Sequence, residues 1–313
     1  MNKHYIKLII LQALWAGNMI VGQLAIENTA PFFLLIVRFF IISILYFCLL
    51  TFKKKIYLWK KKEFTNIHAK IWVWLFITGA IGVSIYFVLV YRGMSQSNAT
   101  YAGLITHTTQ PLFSIILSSI FLKEAVSKKS IIVLCLGLIG TLMILFPYGI
   151  HLIDIPLVFG NLLFLLAGGA YAIFNIGVSK ISSFAINLTK AIVLFSIISM
   201  LCLLPFPFIF GEKIASIKLF DFCALLSYLL FTSIIALLWW NAALREIGVA
   251  RTSVFTFLIA PFTIIESYLI FGQKPTFIAI IGGLITLLSV FISKNLKKEV
   301  RLNKKESHLL KVK

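Results

Sequence analysis

Acidic residues are scarce: ten in 313 positions, against 29 lysines and arginines. Charged residues of both signs make up only 12% of the chain, about half of the roughly 25% in an average soluble domain. That deficit excludes an ordinary soluble fold. Cysteine is also rare. Cys48, Cys135, Cys202 and Cys223 lie in apolar runs with no CxxC spacing, so neither a disulfide framework nor a cysteine metal site is expected. No GxxxxGK phosphate loop occurs, nor an HExxH zinc pair, nor paired intramembrane aspartates, nor a TVGYG filter. Phosphate-loop ATP hydrolysis, zinc proteolysis, aspartyl intramembrane chemistry and potassium-type selectivity therefore lack their residues. No cofactor, no metal and no enzymatic activity is expected.

Apolar side chains are abundant. They make up 60% of the residues, and mean hydropathy is +1.02. A bilayer core takes about 20 apolar residues per helix. Ten such runs stand near 5–25, 31–51, 71–91, 98–122, 130–147, 155–178, 189–210, 222–244, 250–271 and 276–293. Each must be helical in lipid, where no water satisfies the backbone. The opening MNKHYIK resembles a signal peptide, but no small-x-small site ends its apolar run, so it reads as a retained first helix.

The basic residues assign sides. With ten spans, 24 of the 29 fall in the N-terminus, the even-numbered connections and the tail. Four fall on the other side: Arg92, Lys213, Lys218 and Lys274. Arg38 lies within a span. This asymmetry puts both termini in the cytoplasm and the chain in the inner (plasma) membrane. It also accounts for the net charge of +19 without nucleic acid. The tail, 296–313, is too polar to span and reads as a solvated or lipid-surface segment.

Superposing Pro111 on Pro261 reveals a repeat. Around each lie a polar turn, small residues opening a helix, a mid-span proline and a short polar turn, Lys123-Glu124 in one copy and Gln273-Lys274 in the other. Gly137 and Thr141-Leu142 then match Gly282 and Thr286-Leu287 after a short contraction. The expected architecture is all-α integral membrane: repeats over 1–150 and 151–295, five spans each. An odd number of spans inverts the second copy, as in alternating-access carriers that bind substrate near the midplane.

Leu14-Trp15-Ala16-Gly17-Asn18, Pro31, Arg38-Phe39 and the two proline helices resemble the EamA-type carriers of the drug/metabolite transporter superfamily. The resemblance implies a secondary carrier of small metabolites, often an exporter. It also suggests that Arg38, otherwise a candidate for binding an anionic group, is a structural partner; read from the residues, Glu266 either partners a cationic substrate group or forms an ion pair with a basic group such as Arg38 or Lys274.

Polar side chains at membrane depth usually face a bundle interior. Thr106, His107 and Gln110 share one helical stripe with Gly103. Pro111 frees the carbonyl one turn earlier, at His107, for another donor. Thr256 and Glu266 lie on the ninth span, and Glu266 is the one carboxylate well inside a span. Tyr171 and Asn175 line the sixth span beside Gly168-Gly169, Trp15 and Asn18 the first, and Tyr86 the third. The expected substrate contacts are therefore Trp15, Asn18, Tyr86, Thr106, His107, Gln110, Tyr171, Asn175, Thr256 and Glu266. Pro111 and Pro261 are the expected hinges. Trp239-Trp240 reads as an interface anchor. The reading is a small-molecule carrier in the bilayer, monomer or homodimer, with proton coupling through Glu266 or His107 left open. An intramembrane enzyme acting on lipid-borne groups and a non-transporting scaffold are the alternatives.

Overall fold

A computed structural model describes residues 3–52, 69–97, 99–124, 128–145, 155–184, 186–213, 218–271 and 275–293. The basic loop after the second span, the Gln273-Lys274 turn and the tail at 296–313 lie outside the described residues, in whole or in part. The described chain is helical throughout. In order come α1 (Lys3–Asn28), α2 (Pro31–Phe52), α3 (Ala69–Met94), α4 (Ala99–Leu117), α5 (Lys128–Leu145), α6 (Ile155–Ser183), α7 (Leu188–Leu203), α8 (Leu219–Ile247), α9 and α10 (Phe277–Ser293). Helix α9 is composite: Val249–Val254, a tighter 3-10 stretch over Phe255–Leu258, then Ile259–Phe271.

Among the described residues, eight helices are long and apolar enough to cross a membrane. Those under the expected spans at 130–147 and 276–293 are shorter, 18 and 17 residues. These two, α5 and α10, pack on each other. At Gly140 a Cβ would meet the Gly282 carbonyl oxygen at 2.6 Å, and at Gly282 it would meet that of Gly140 at 2.5 Å. Only hydrogen fits at this crossing, the usual device where packing rather than hydrophobicity joins helices in lipid.

The other extensive pairings are α4 with α6, α2 with α7, α1 with α8, α3 with α6, and α1 with α9. Each joins a helix before residue 150 to one after it. At Gly168 two of these helices approach closely. A Cβ there would meet Thr109 Oγ1 at 2.1 Å and the Thr106 carbonyl oxygen at 2.9 Å, so α6 rides directly on α4.

Helix α3 is not regular. Over Ile77–Ile85 it widens into a π-helical stretch, ITGAIGVSI. Such stretches are rare and tend to mark functional positions. Small residues make this one tolerable. Ser84 donates to the carbonyls of Gly79 (3.1 Å) and Ser199 (3.0 Å), and Ser199 donates back to Gly79 (3.0 Å). The α3–α7 seam thus satisfies backbone oxygens that a π turn leaves poorly paired.

Candidate functional site

Mid-bundle, the helices part around a cavity of about 100 Å³. Its wall is largely aromatic. Trp15 of α1 stands at the centre, with ring centroids 4.9 Å from Trp240, 5.9 Å from Tyr171 and 6.3 Å from His107. Tyr86 meets Tyr171 edge-on at 5.1 Å, and Phe87 meets Tyr86 at 4.9 Å. Edge-to-face and offset pairs at these distances are the arrangements the ring quadrupoles favour. The cavity therefore has rigid, apolar walls with few polar atoms.

The expected contacts divide into two groups. Trp15, Asn18, Tyr86, His107 and Tyr171 line the cavity. Thr106, Gln110, Asn175, Thr256 and Glu266 do not. Asn175, fully buried, uses both ends of its amide structurally: Nδ2 donates to Ser114 (3.2 Å), and Oδ1 accepts from Trp240 Nε1 (2.9 Å). Thr256 donates to the carbonyl of His107 at 3.0 Å. That carbonyl is the one Pro111 frees. The same hydroxyl also reaches the Ser253 carbonyl at 2.7 Å, so the two proline helices meet at the oxygen that proline exposes through a shared hydrogen bond. Thr106 and Gln110 are fully buried behind the wall, and Gln110 Oε1 lies 3.3 Å from His107 Nδ1.

Helical periodicity foresaw the stripe but not its rotation. Gly168 draws the Thr106–Gln110 face against α6, which leaves His107 as the member of the stripe on the cavity wall. Around the prolines the helices behave differently. Helix α4 runs through Pro111 as continuous α-helix, whereas α9 tightens to 3-10 just before Pro261.

Glu266 sits outside the cavity wall near Tyr228 and Gly17. Its Oε2 has no hydrogen-bond partner among the described residues. The expected ion pair with Arg38 is not formed. Instead Arg38, 7% exposed, lines the cavity. It donates from Nε to Ser233 at 2.7 Å and lies over the rings of Phe87 (5.1 Å) and Phe39 (5.7 Å). Trp240, expected at the interface, is 1% exposed and backs Trp15 instead. Sequence reasoning overlooked Tyr91, Phe87 and Ser233 as wall residues. Phe87 directly follows Tyr86 and Tyr91 stands one turn beyond Phe87, an i, i+4 spacing that was the available signal for two of them.

The EamA-like transporter family model matches residues 3–146 and again 158–294. The chain belongs to the EamA-like transporter family. It is a multi-pass membrane protein of a transporter family, and such a family implies a small-molecule substrate. Among its relatives, the uncharacterized transporter YetK of Bacillus subtilis (strain 168) is 26% identical over 304 residues, covering 94% of this chain and 88% of that protein. An uncharacterized transporter of Archaeoglobus fulgidus (strain ATCC 49558 / DSM 4304 / JCM 9628 / NBRC 100126 / VC-16) is 23% identical over 293 residues, covering 93% and 97%. One solved protein structure superposes with a TM-score of 0.75 at 13% identity, across 96% of this chain and 98% of that one, a likeness of fold alone.

Proposed function

We propose that this EamA-like transporter is a secondary carrier. Two inverted halves, 1–150 and 151–295, rock about the central cavity and expose it to one side of the inner membrane at a time. The observation that carries the reading is the composition of the cavity wall. Trp15, Asn18, Arg38 and Tyr86 come from the first half; Tyr171 and Ser233 come from the second. A site shared by two bodies opens and closes when they move against each other.

The helix pairings support the inversion. If α1 to α5 exchange with α6 to α10, α1–α8 becomes α6–α3 and α4–α6 becomes α9–α1, while α2–α7 and α5–α10 map onto themselves. All of these pairings are present. The set is what a two-fold relation between the halves would leave.

Two carboxylates tie the halves at opposite ends of the bundle. Glu212, after α7, accepts from the backbone N–H groups of Phe32 (2.7 Å) and Phe33 (3.0 Å) at the start of α2. Glu124, after α4, accepts from those of Val249 and Ala250 (3.2 Å each) at the start of α9. A carboxylate on a helix N-terminus satisfies orphan donors and meets the positive end of the dipole. Partial burial nevertheless pushes the Glu212 carboxyl above the usual range, partly offset by the two backbone bonds. Near the Glu212 end Phe32 stacks on Phe210 at 4.9 Å; at the other end His4 pairs with Glu246 at 2.7 Å. Alternating access requires one tie to break at a time.

Glu212→Gln and Glu124→Gln should therefore shift access in opposite directions. Each substitution weakens charge-assisted bonds worth ~1 kcal/mol net, about a fivefold change in population. The measurement uses a cysteine-free background carrying Val90→Cys on the cavity wall. Labelling by an impermeant thiol reagent in oriented vesicles should speed up with one variant and slow down with the other. Equal changes, or none, would refute the two-latch reading.

Counterflow in proteoliposomes against a metabolite panel tests the carrier itself, and an imposed pH gradient tests proton coupling. A coupled carrier accumulates its substrate against a gradient only when the pH gradient is present. Failure of every solute to exchange across a panel of anions, cations and neutral compounds would sink the reading. Export is the direction the family resemblance favours.

A further inference from the structure

The cavity contains one permanent charge, and nothing in the described protein neutralises it. Of its lining residues only Arg38 is charged. Its guanidinium is permanently cationic and presents five donors in a planar fork. One donor, Nε, is used on Ser233. Ser233 also bonds the Leu229 carbonyl, which fixes it as a brace for the guanidinium. The rings of Phe39 and Phe87 support it from the side. Among the described residues no carboxylate pairs with it. Glu266 lies apart from the cavity wall, and the His4–Glu246 pair stands at one end of the bundle.

A buried, unpaired cation is expensive. Removing a charge from water costs several kcal/mol unless an opposite charge compensates it. Intramembrane ions accordingly pair with one another or mark a ligand path. Arg38 is braced by one hydroxyl and two aromatic faces, which orient it without cancelling its charge. Its position is that of a receptor held in place before the anion arrives. The rest of the wall, Trp15, Tyr86 and Tyr171, offers ring faces and edges.

Resting on the carrier reading above, we propose that the transported solute is a small organic monoanion with an aromatic or flat apolar body. Its carboxylate meets the free edge of the Arg38 guanidinium, and its body lies among Trp15, Tyr86 and Tyr171. The cavity sets the size. At about 100 Å³ it is smaller than the engineered ~150 Å³ protein cavity that holds benzene. A ligand the size of benzoate therefore enters only if the walls part. Dianions would leave one charge without a partner, and cations would face Arg38 directly.

Benzoate, benzamide and benzamidinium have nearly the same shape and carry charges of minus one, zero and plus one. Binding to the purified full-length protein is measured at neutral pH by calorimetry and by thermal shift. Benzoate should bind at least ~10-fold more tightly than benzamide, because charge-assisted bonds are roughly twice as strong as neutral ones. Benzamidinium should not bind. In Arg38→Gln the benzoate-to-benzamide ratio should fall to about one. In Ser233→Ala, which keeps the charge but removes its brace, benzoate should weaken several-fold while benzamide stays unchanged. A purely structural arginine would lower thermal stability in both variants and leave the ratio intact; that result overturns the proposal, as does a wild type that does not discriminate. If Arg38→Gln does not fold, Ser233→Ala and Arg38→Lys, which keeps the charge but loses the planar fork, carry the test, each lowering the benzoate-to-benzamide ratio several-fold. The carrier reading is judged separately. Counterflow of another solute that benzoate fails to inhibit would refute the monoanion but keep the carrier. Selective benzoate binding with no exchange of any solute would do the reverse.

Discussion

Gly82→Val should abolish transport and lower thermal stability strongly. Gly82 lies in the π stretch of α3 and on the cavity wall. A Cβ built there sits 2.7 Å from both Cα and Cβ of Phe174, and 2.9 Å from its backbone nitrogen. Backbone cannot swing aside as a side-chain tip can. To make room, α3 and α6 must separate, and both carry wall residues: Tyr86 and Phe87 on one, Tyr171 and Phe174 on the other. Overpacking a close contact costs ~1–3 kcal/mol and sometimes more; Ala should fall within that range and Val beyond it. The check is a thermal melt in detergent alongside initial transport rates. Gly169→Ala provides the control. Its Cβ would stand 3.7 Å from Phe113, an ordinary contact, so it should melt and transport like wild type. A Gly82→Val protein with wild-type rates would show that the α3–α6 seam does not shape the site.

Trp15→Ala is the second large effect. The indole touches His107, Tyr171 and Trp240, rings from α4, α6 and α8. Removing it opens the centre of the cage. Truncating a buried Trp to Ala costs ~3–5 kcal/mol in soluble cores. In lipid the transfer part of that cost shrinks, because tails solvate apolar surface as well as protein does. The packing part remains, since no lipid reaches mid-bundle. Each aromatic pair adds ~0.5–1.5 kcal/mol beyond area, and 1.4 kcal/mol is a factor of 10 in affinity. The apparent substrate affinity should therefore fall by at least ~10-fold, with Trp15→Phe intermediate. Affinity would be read from the concentration dependence of counterflow. An unchanged value in Trp15→Ala would remove Trp15 from the site.

These effects depend on different parts of the chain's information. That α1 through α10 are helices was legible residue by residue. Runs such as Pro31–Phe52 have no alternative in lipid, and the charge clusters between them mark where helices end. The open carbonyl at His107, one turn before Pro111, was legible too. Its partner was not. Thr256 stands 149 positions away, and no local pattern says which hydroxyl will reach it. The same holds for Asn175 and Glu266. A polar side chain on a buried face can meet a ligand, a neighbouring helix or a backbone oxygen, and periodicity does not distinguish these.

Composition, hydropathy and the placement of basic residues determined by themselves that this is a helical, multi-pass membrane protein. They did so because the bilayer punishes every unsatisfied backbone group and every stranded charge, so few folds remain. The tertiary structure decided which polar groups are structural and which face the cavity. It joined Asn175 to Trp240, turned Thr256 to the His107 carbonyl, set Glu266 apart, and brought Arg38 to the wall beside Ser233. Those outcomes depend on how far each helix is rotated about its axis. Rotation is set by close contacts between helices, at Gly82, Gly140, Gly168 and Gly282, and those contacts exist only once the helices have packed.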